Sequence, residues 1–135
     1  MGFAVKGILR LLEKRFNQEN IKLTLEQYFL LNILENEERL ILQDLADIVE
    51  RDKSAVLRHI NCLEENHFVA RAKDPDDKRT KILLITKQGI KMLEKARKAD
   101  EQVNKEITQN ISNEQLDYLE NIVSDIYEYT MSDEC

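Results

Sequence analysis

A mainly α fold is predicted for this chain: a winged helix-turn-helix with a two-stranded wing, flanked by long N- and C-terminal dimerisation helices. Three observations carry that expectation. Residues 44–66 read as a short helix, a tight link and a second helix with a polar outer row. Two short apolar runs, Phe68 to Lys73 and Thr80 to Thr86, then flank a charged hairpin. Only three Gly and one Pro in 135 residues leave few breaks, which favours long helices elsewhere.

The elements follow in order. Phe3 to Phe16 places apolar residues at 4, 5, 8, 9, 11, 12 and 16, a broad helical stripe. Asn17 to Lys22 reads as a link. Thr24 and Gln27 have capping-box spacing, so a second helix is expected from there to about Leu34. Asn36 to Leu40 is a polar turn. A third, short helix covers about Leu42 to Val49, with Leu45, Ala46 and Val49 buried. Arg51-Asp52 makes the next turn, with Asp52 as an N-cap.

The fourth helix runs from Lys53 to about Asn66. At 100° per residue, Val56, Ile60 and Leu63 share one face, and Ser54, Arg58, Asn61 and Glu65 share the opposite one. Leu57 sits on the flank. Asp74 to Arg79 joins the two strand candidates, because Pro and Asp suit a loop tip. Thr86 caps a fifth helix from Lys87 to about Asn110, with Ile90, Leu93, Ala96, Val103 and Ile107 as its spaced apolar residues. Ser112 and Gln115 repeat the capping-box spacing ahead of a sixth helix carrying Leu116, Leu119, Ile122, Val123 and Ile126.

The length suits one domain, residues 1–135, able to bury its own core. Within it, a DNA-binding lobe is expected over about 24–89 and dimerisation helices over about 3–16 and 90–130. A charged fraction of 34% with 42% hydrophobic residues fits a folded, amphipathic protein. No apolar run reaches the roughly 18–20 residues a bilayer span needs. The first residues lack a signal-peptide layout, and a cytoplasmic location is expected.

A net charge of −6 runs against nucleic-acid binding until its distribution is examined. Residues 51–98 hold 13 basic and 7 acidic side chains, a local charge of +6. Residues 99–135 hold 1 and 10, a local charge of −9. Positive charge therefore sits on the helix-turn-helix and wing, where it can meet phosphates. A helix with exposed polar side chains fits the DNA major groove, and a basic loop beside it can reach the minor groove. Lys53, Ser54, Leu57, Arg58 and Asn61 are the expected groove and phosphate contacts, with Lys78 and Arg79 acting from the wing. The apolar stripes of the terminal helices exceed what a local core needs, which predicts a symmetric dimer reaching two half-sites.

Several short words recur together in this segment: Asp44-Leu45-Ala46, Asp52 to Arg58, Leu63-Glu64, Phe68-Val69, Arg71, Asp74 to Arg79, Leu84-Ile85-Thr86 and Gly89. In this order they resemble the MarR family of winged-helix regulators, over about residues 24–130. The resemblance implies a homodimeric transcription regulator, often a repressor, on a pseudo-palindromic operator of double-stranded DNA. It implies that the fourth helix reads the major groove. It also implies that Arg79 enters the minor groove from the wing, oriented by Asp77. Release of DNA by a small aromatic or anionic effector follows from the resemblance too. Two departures stand out: His67 occupies the usual glycine position after the fourth helix, and Ile41-Leu42 replaces the usual Ser or Thr cap of the third.

No glycine-rich phosphate loop or nucleophile motif points to an enzyme, and neither a cofactor nor a metal is expected. His59, Cys62 and His67 lack the clear fourth ligand of a structural zinc site. Cys62 raises a thiol-based redox-sensing regulator as one alternative. It lies in the C-terminal half of its helix, where the dipole does not activate a thiol, so a partly buried, inert thiol is expected. The other alternative is a winged-helix protein-interaction module without specific DNA binding, which the net acidity permits.

Overall fold

The computed structural model describes residues 2–49 and 51–132. It is mainly helical, with α1 (Gly2–Gln18), α2 (Leu25–Asn36), α3 (Leu42–Ile48), α4 (Lys53–Glu65), β1 (Val69–Lys73), β2 (Lys81–Ile85), α5 (Lys87–Ile107) and α6 (Asn113–Ser132). The strands form one antiparallel ladder in which Val69 faces Ile85, Arg71 faces Leu83 and Lys73 faces Lys81. The chain divides into two compact units, Met1–Glu101 and Gln102–Cys135.

Both capping boxes form as the spacing predicts. Thr24 Oγ1 accepts from the Gln27 amide at 3.1 Å, and Gln27 Oε1 accepts from the Thr24 amide at 3.1 Å. That exchange satisfies Gln27, which is buried. Ser112 and Gln115 make the same exchange at 3.2 and 3.0 Å ahead of α6. Thr86 caps α5, its hydroxyl accepting from the Gly89 amide at 3.0 Å. Isoleucine has no acceptor to offer at the start of α3, so only the reciprocal half is present there: Asp44 accepts from the Ile41 amide at 3.0 Å.

The core of the first unit is built where the periodicity puts it. Leu31, Leu45, Val56, Ile60, Leu63 and Leu93 are at most 1% exposed. Phe16 meets Tyr28 edge-on, ring centroids 5.4 Å apart. Polar bonds then pin α2 to the first half of α5. The Tyr28 hydroxyl donates to Asp100 at 2.8 Å, while Arg97 donates to Asn32 at 2.7 and 3.0 Å and pairs with Glu35.

Burial first, and then the bond to Asp100, pushes the Tyr28 phenol up to about 12. A phenol whose value is raised on folding stabilises the folded state fully below its unfolded value near 10 and loses that contribution as pH rises through the folded value. Stability is therefore expected to fall between about pH 10 and 12. Chemical denaturation of Tyr28→Phe should show about 1 kcal/mol lost at neutral pH and a shallower alkaline decline than wild type. Identical alkaline slopes would show that Tyr28 does not contribute.

α4 ends in a Schellman arrangement. The His67 amide donates to the Glu64 carbonyl at 3.0 Å and the Phe68 amide to the Leu63 carbonyl at 2.9 Å. His67 takes the left-handed backbone that closes the helix, with φ 64°. A non-glycine residue thus fills the position where glycine carries no penalty. Gly89 is needed for closeness: a Cβ there would lie 2.2 Å from the Phe68 carbonyl oxygen.

Three details depart from expectation. Val49 is half-buried at the end of α3, facing a cleft instead of the core. α5 ends at Ile107, where the Thr108 hydroxyl takes the Asn104 carbonyl at 2.6 Å, and Ile107 is 38% exposed. Cys62 is exposed, not partly buried, because it falls outside the arc set by Val56, Ile60 and Leu63. Cys135 lies outside the described residues. In the second unit, α6 leaves Leu119, Ile122, Val123 and Ile126 between 41 and 55% exposed.

Candidate nucleic-acid interface

α4 begins where the Asp52 carbonyl accepts from Ala55 and Val56. The Asp52 side chain makes no capping bond, so its carboxylate stays at the helix start without closing it. Burial of Val56, Ile60 and Leu63 fixes the helix rotation. That rotation leaves Lys53, Ser54, Arg58 and Asn61 exposed and Leu57 half-buried. Four polar or charged side chains and one aliphatic edge are thus held on an anchored helix.

The wing is shaped by its own carboxylates. Asp74 Oδ1 accepts from the Asp76 amide at 2.9 Å. Asp77 Oδ1 accepts from the Arg79 amide at 3.0 Å, and Asp77 Oδ2 from the Thr80 hydroxyl at 3.0 Å. These are Asx-type turns, in which a short acidic side chain replaces a backbone acceptor. Asp77 therefore fixes the main chain at Arg79. Lys78 and Arg79 are exposed at the tip.

Neighbouring elements add residues that sequence reasoning missed. The Leu83 amide donates to the Leu40 carbonyl at 2.8 Å, which sews the α2–α3 link to the wing strand. From the same link, Arg39 reaches Asp76 at 3.0 Å, with side chains 61% and 75% exposed. Such a surface pair is worth at most about 1 kcal/mol, but it ties the wing loop to the helical body. On the other side, Arg71 bonds both Asn61 and Glu64 of α4. None of these pairs lies within a helical turn, so no local pattern could announce them.

A cleft of about 430 Å³ lies between α1, α2, the end of α3 and α4. Leu9, Phe29 and Val49 supply apolar walls; Glu13, Glu26, Arg51 and His59 supply charge or polarity. Glu26 bridges two of these, accepting from Arg51 at 2.8 Å and meeting His59 Nε2 at 2.6 Å. The chain carries no group of three or more metal-ligating side chains among the described residues.

Residues 23–81 match the model of the MarR family. An uncharacterized HTH-type transcriptional regulator of Bacillus subtilis (strain 168), YdgJ, is 34% identical over 86 residues, 64% of this chain. The match spans about half of that relative, 52% of its length. Among solved structures, apo MarR from E. coli superposes with a TM-score of 0.79 at 20% identity, covering 93% of this chain and 92% of that one. A MarR variant from E. coli complexed with operator DNA gives 0.78 at 20% identity, covering 93% and 89%. At these identities the superpositions speak for the fold.

Proposed function

We propose that this chain is a member of the MarR family and a sequence-specific DNA-binding regulator of transcription, acting as a homodimeric repressor on a pseudo-palindromic operator. The observation that carries this reading is the recognition surface. Lys53, Ser54, Arg58 and Asn61 stand exposed on α4 while its other face is buried, and Lys78 and Arg79 stand at the wing tip. A helix held this way can enter the major groove while the wing reaches the adjacent minor groove. The operator-bound MarR of E. coli, similar in fold, supports it. Its site of action is the cytoplasm.

The homodimer rests on apolar faces. Phe3, Val5 and Ile8 of α1 are 91, 49 and 41% exposed, and α6 exposes its own apolar row. Exposed apolar rows of this kind mark association surfaces. Burying these rows between two copies is the role proposed for α1 and α6.

A small aromatic or anionic effector is assigned to the cleft beside α4. Its volume suits a compact ring against Phe29, 47% exposed, with Arg51 as the cation for a carboxylate. Since Glu26 holds Arg51 and His59 together, an anion would compete for the contacts that join α2 to α4. Titrating aromatic carboxylates against the operator complex tests this. Release that is unaffected by Phe29→Ala or Arg51→Ala would remove the assignment.

Selection from a random DNA pool, followed by affinity measured at several salt concentrations, tests the main reading. The expected result is an inverted repeat with half-sites about 10 bp apart. Affinity should drop steeply, by roughly 10³–10⁵ between 50 and 200 mM salt for about 6–10 phosphate contacts. Single asymmetric sites would sink the dimer, and weak, salt-insensitive binding would favour the protein-interaction alternative.

A further inference from the structure

Two bonds join the α2–α3 link to the wing, at different heights. At the base, the Leu40 carbonyl accepts from the Leu83 amide of β2 at 2.8 Å. Farther out, beyond the Lys73–Lys81 pair that ends the ladder, Arg39 Nη1 donates to Asp76 Oδ2 at 3.0 Å. A two-stranded hairpin has little stability of its own. One attachment leaves it free to swing about that point, and a second attachment nearer the loop removes the freedom.

An exposed ion pair is ordinarily weak, because long side chains must be ordered to make it. Here the main chain is held on both sides. Arg39 takes a left-handed backbone, φ 57°, directly before the Leu40 anchor. That conformation is costly for any residue with a Cβ, and the link adopts it where it meets the wing. Opposite, the Asp76 amide donates to Asp74 Oδ1 at 2.9 Å. Only the two side chains remain to be ordered. The next residue, Asp77, accepts from the Arg79 amide at 3.0 Å, so the position of Asp76 is passed on to Arg79 through the loop.

Charge adds a second reason. Asp74, Asp76 and Asp77 share the loop with Lys78 and Arg79. A carboxylate that approaches DNA is repelled by the phosphates. Asp74 and Asp77 accept from groups of the loop itself, whereas Asp76 meets a cation from outside the wing.

We propose that Arg39 is a positioning residue for DNA binding: by holding Asp76 it fixes the wing loop against the helical body and offsets that carboxylate, so that Arg79 enters the minor groove at one place. This rests on the proposed DNA-binding function and adds to it a residue outside both the recognition helix and the wing.

The test is a double-mutant cycle on the selected operator, with wild type, Arg39→Ala, Asp76→Ala and the double variant, each checked for folding by circular dichroism. Beside Asp76, Arg39→Ala should weaken binding roughly two- to five-fold per half-site, the range of an exposed pair. It should also flatten preference at flanking A·T-rich steps and leave the half-site core unchanged. In the Asp76→Ala background the same substitution should change neither. The coupling should shrink as salt rises, since the two side chains are 61% and 75% exposed. The proposal is overturned if Arg39→Ala costs nothing beside Asp76. It is overturned equally if the cost is the same in both backgrounds, uniform across sequences and accompanied by a salt slope lower by about 1, the signature of a direct phosphate contact. Sequence selection without coupling thus sinks this inference alone, while failure of wild type to select any sequence sinks the DNA-binding reading and this inference with it.

Discussion

Replacing Arg58 and Arg79 together by alanine is expected to weaken operator binding by about 2–6 kcal/mol at physiological salt, the sum of two contributions of about 1–3 kcal/mol each. Arg58 projects from the exposed face of α4, opposite the buried Val56–Ile60–Leu63 row. A guanidinium there meets guanine O6 and N7 or a phosphate. Arg79 stands at the wing tip, held by the bond from its own amide to Asp77. A guanidinium there is drawn to the negative potential of a narrow minor groove. The two losses should differ in kind. Arg58→Ala alone should relax preference inside the half-site, while Arg79→Ala alone should flatten preference for flanking A·T-rich steps. Both side chains are exposed, so circular dichroism and sedimentation should report an intact fold. Wild-type affinity in the double variant would end the helix-plus-wing mechanism and favour a protein-binding surface.

Gly89→Ala is expected to destabilise the fold by about 2–4 kcal/mol, lowering Tm by roughly 10 °C in calorimetry. The added Cβ would stand 2.2 Å from the Phe68 carbonyl oxygen and 2.8 Å from Ile85 Cγ1. The isoleucine side chain can move; the carbonyl cannot move cheaply. It accepts from the Thr86 amide at 3.0 Å, and the Thr86 hydroxyl in turn donates to the His67 carbonyl at 2.6 Å. His67 already holds a left-handed backbone to close α4. Relief therefore requires shifting the start of α5 away from the junction of α4 with β1. Since that junction sets where the wing leaves the recognition helix, operator affinity should fall alongside stability. An unchanged Tm would show that the α5 start relaxes freely and that the close approach is incidental.

These two variants fall on opposite sides of what local sequence could disclose. Arg58 was legible from helical periodicity, because core and groove faces of one helix are set by spacing within a few turns. The three caps at Thr24, Thr86 and Ser112 were legible for the same reason: each joins residues three apart. Gly89 stood out in the sequence as a family position, but its reason did not. The crowding carbonyl lies 21 residues upstream, on the far side of the wing.

What the sequence determined alone was therefore the set of elements, their order, which face of α4 is buried and where the basic wing lies. Those depend on bonds and contacts between near neighbours, which composition and periodicity encode. The tertiary structure alone decided that Arg71 donates to the Asn61 carbonyl, that Arg39 ties down Asp76, that the Leu40 carbonyl accepts from the Leu83 amide of β2, and that Glu26 bridges Arg51 and His59. It also decided that Cys62 is exposed and that Val49 faces a cleft. Each of these depends on which two elements come to lie side by side. That is settled when several amphipathic faces bury one another at once, and no single stretch of chain carries the answer.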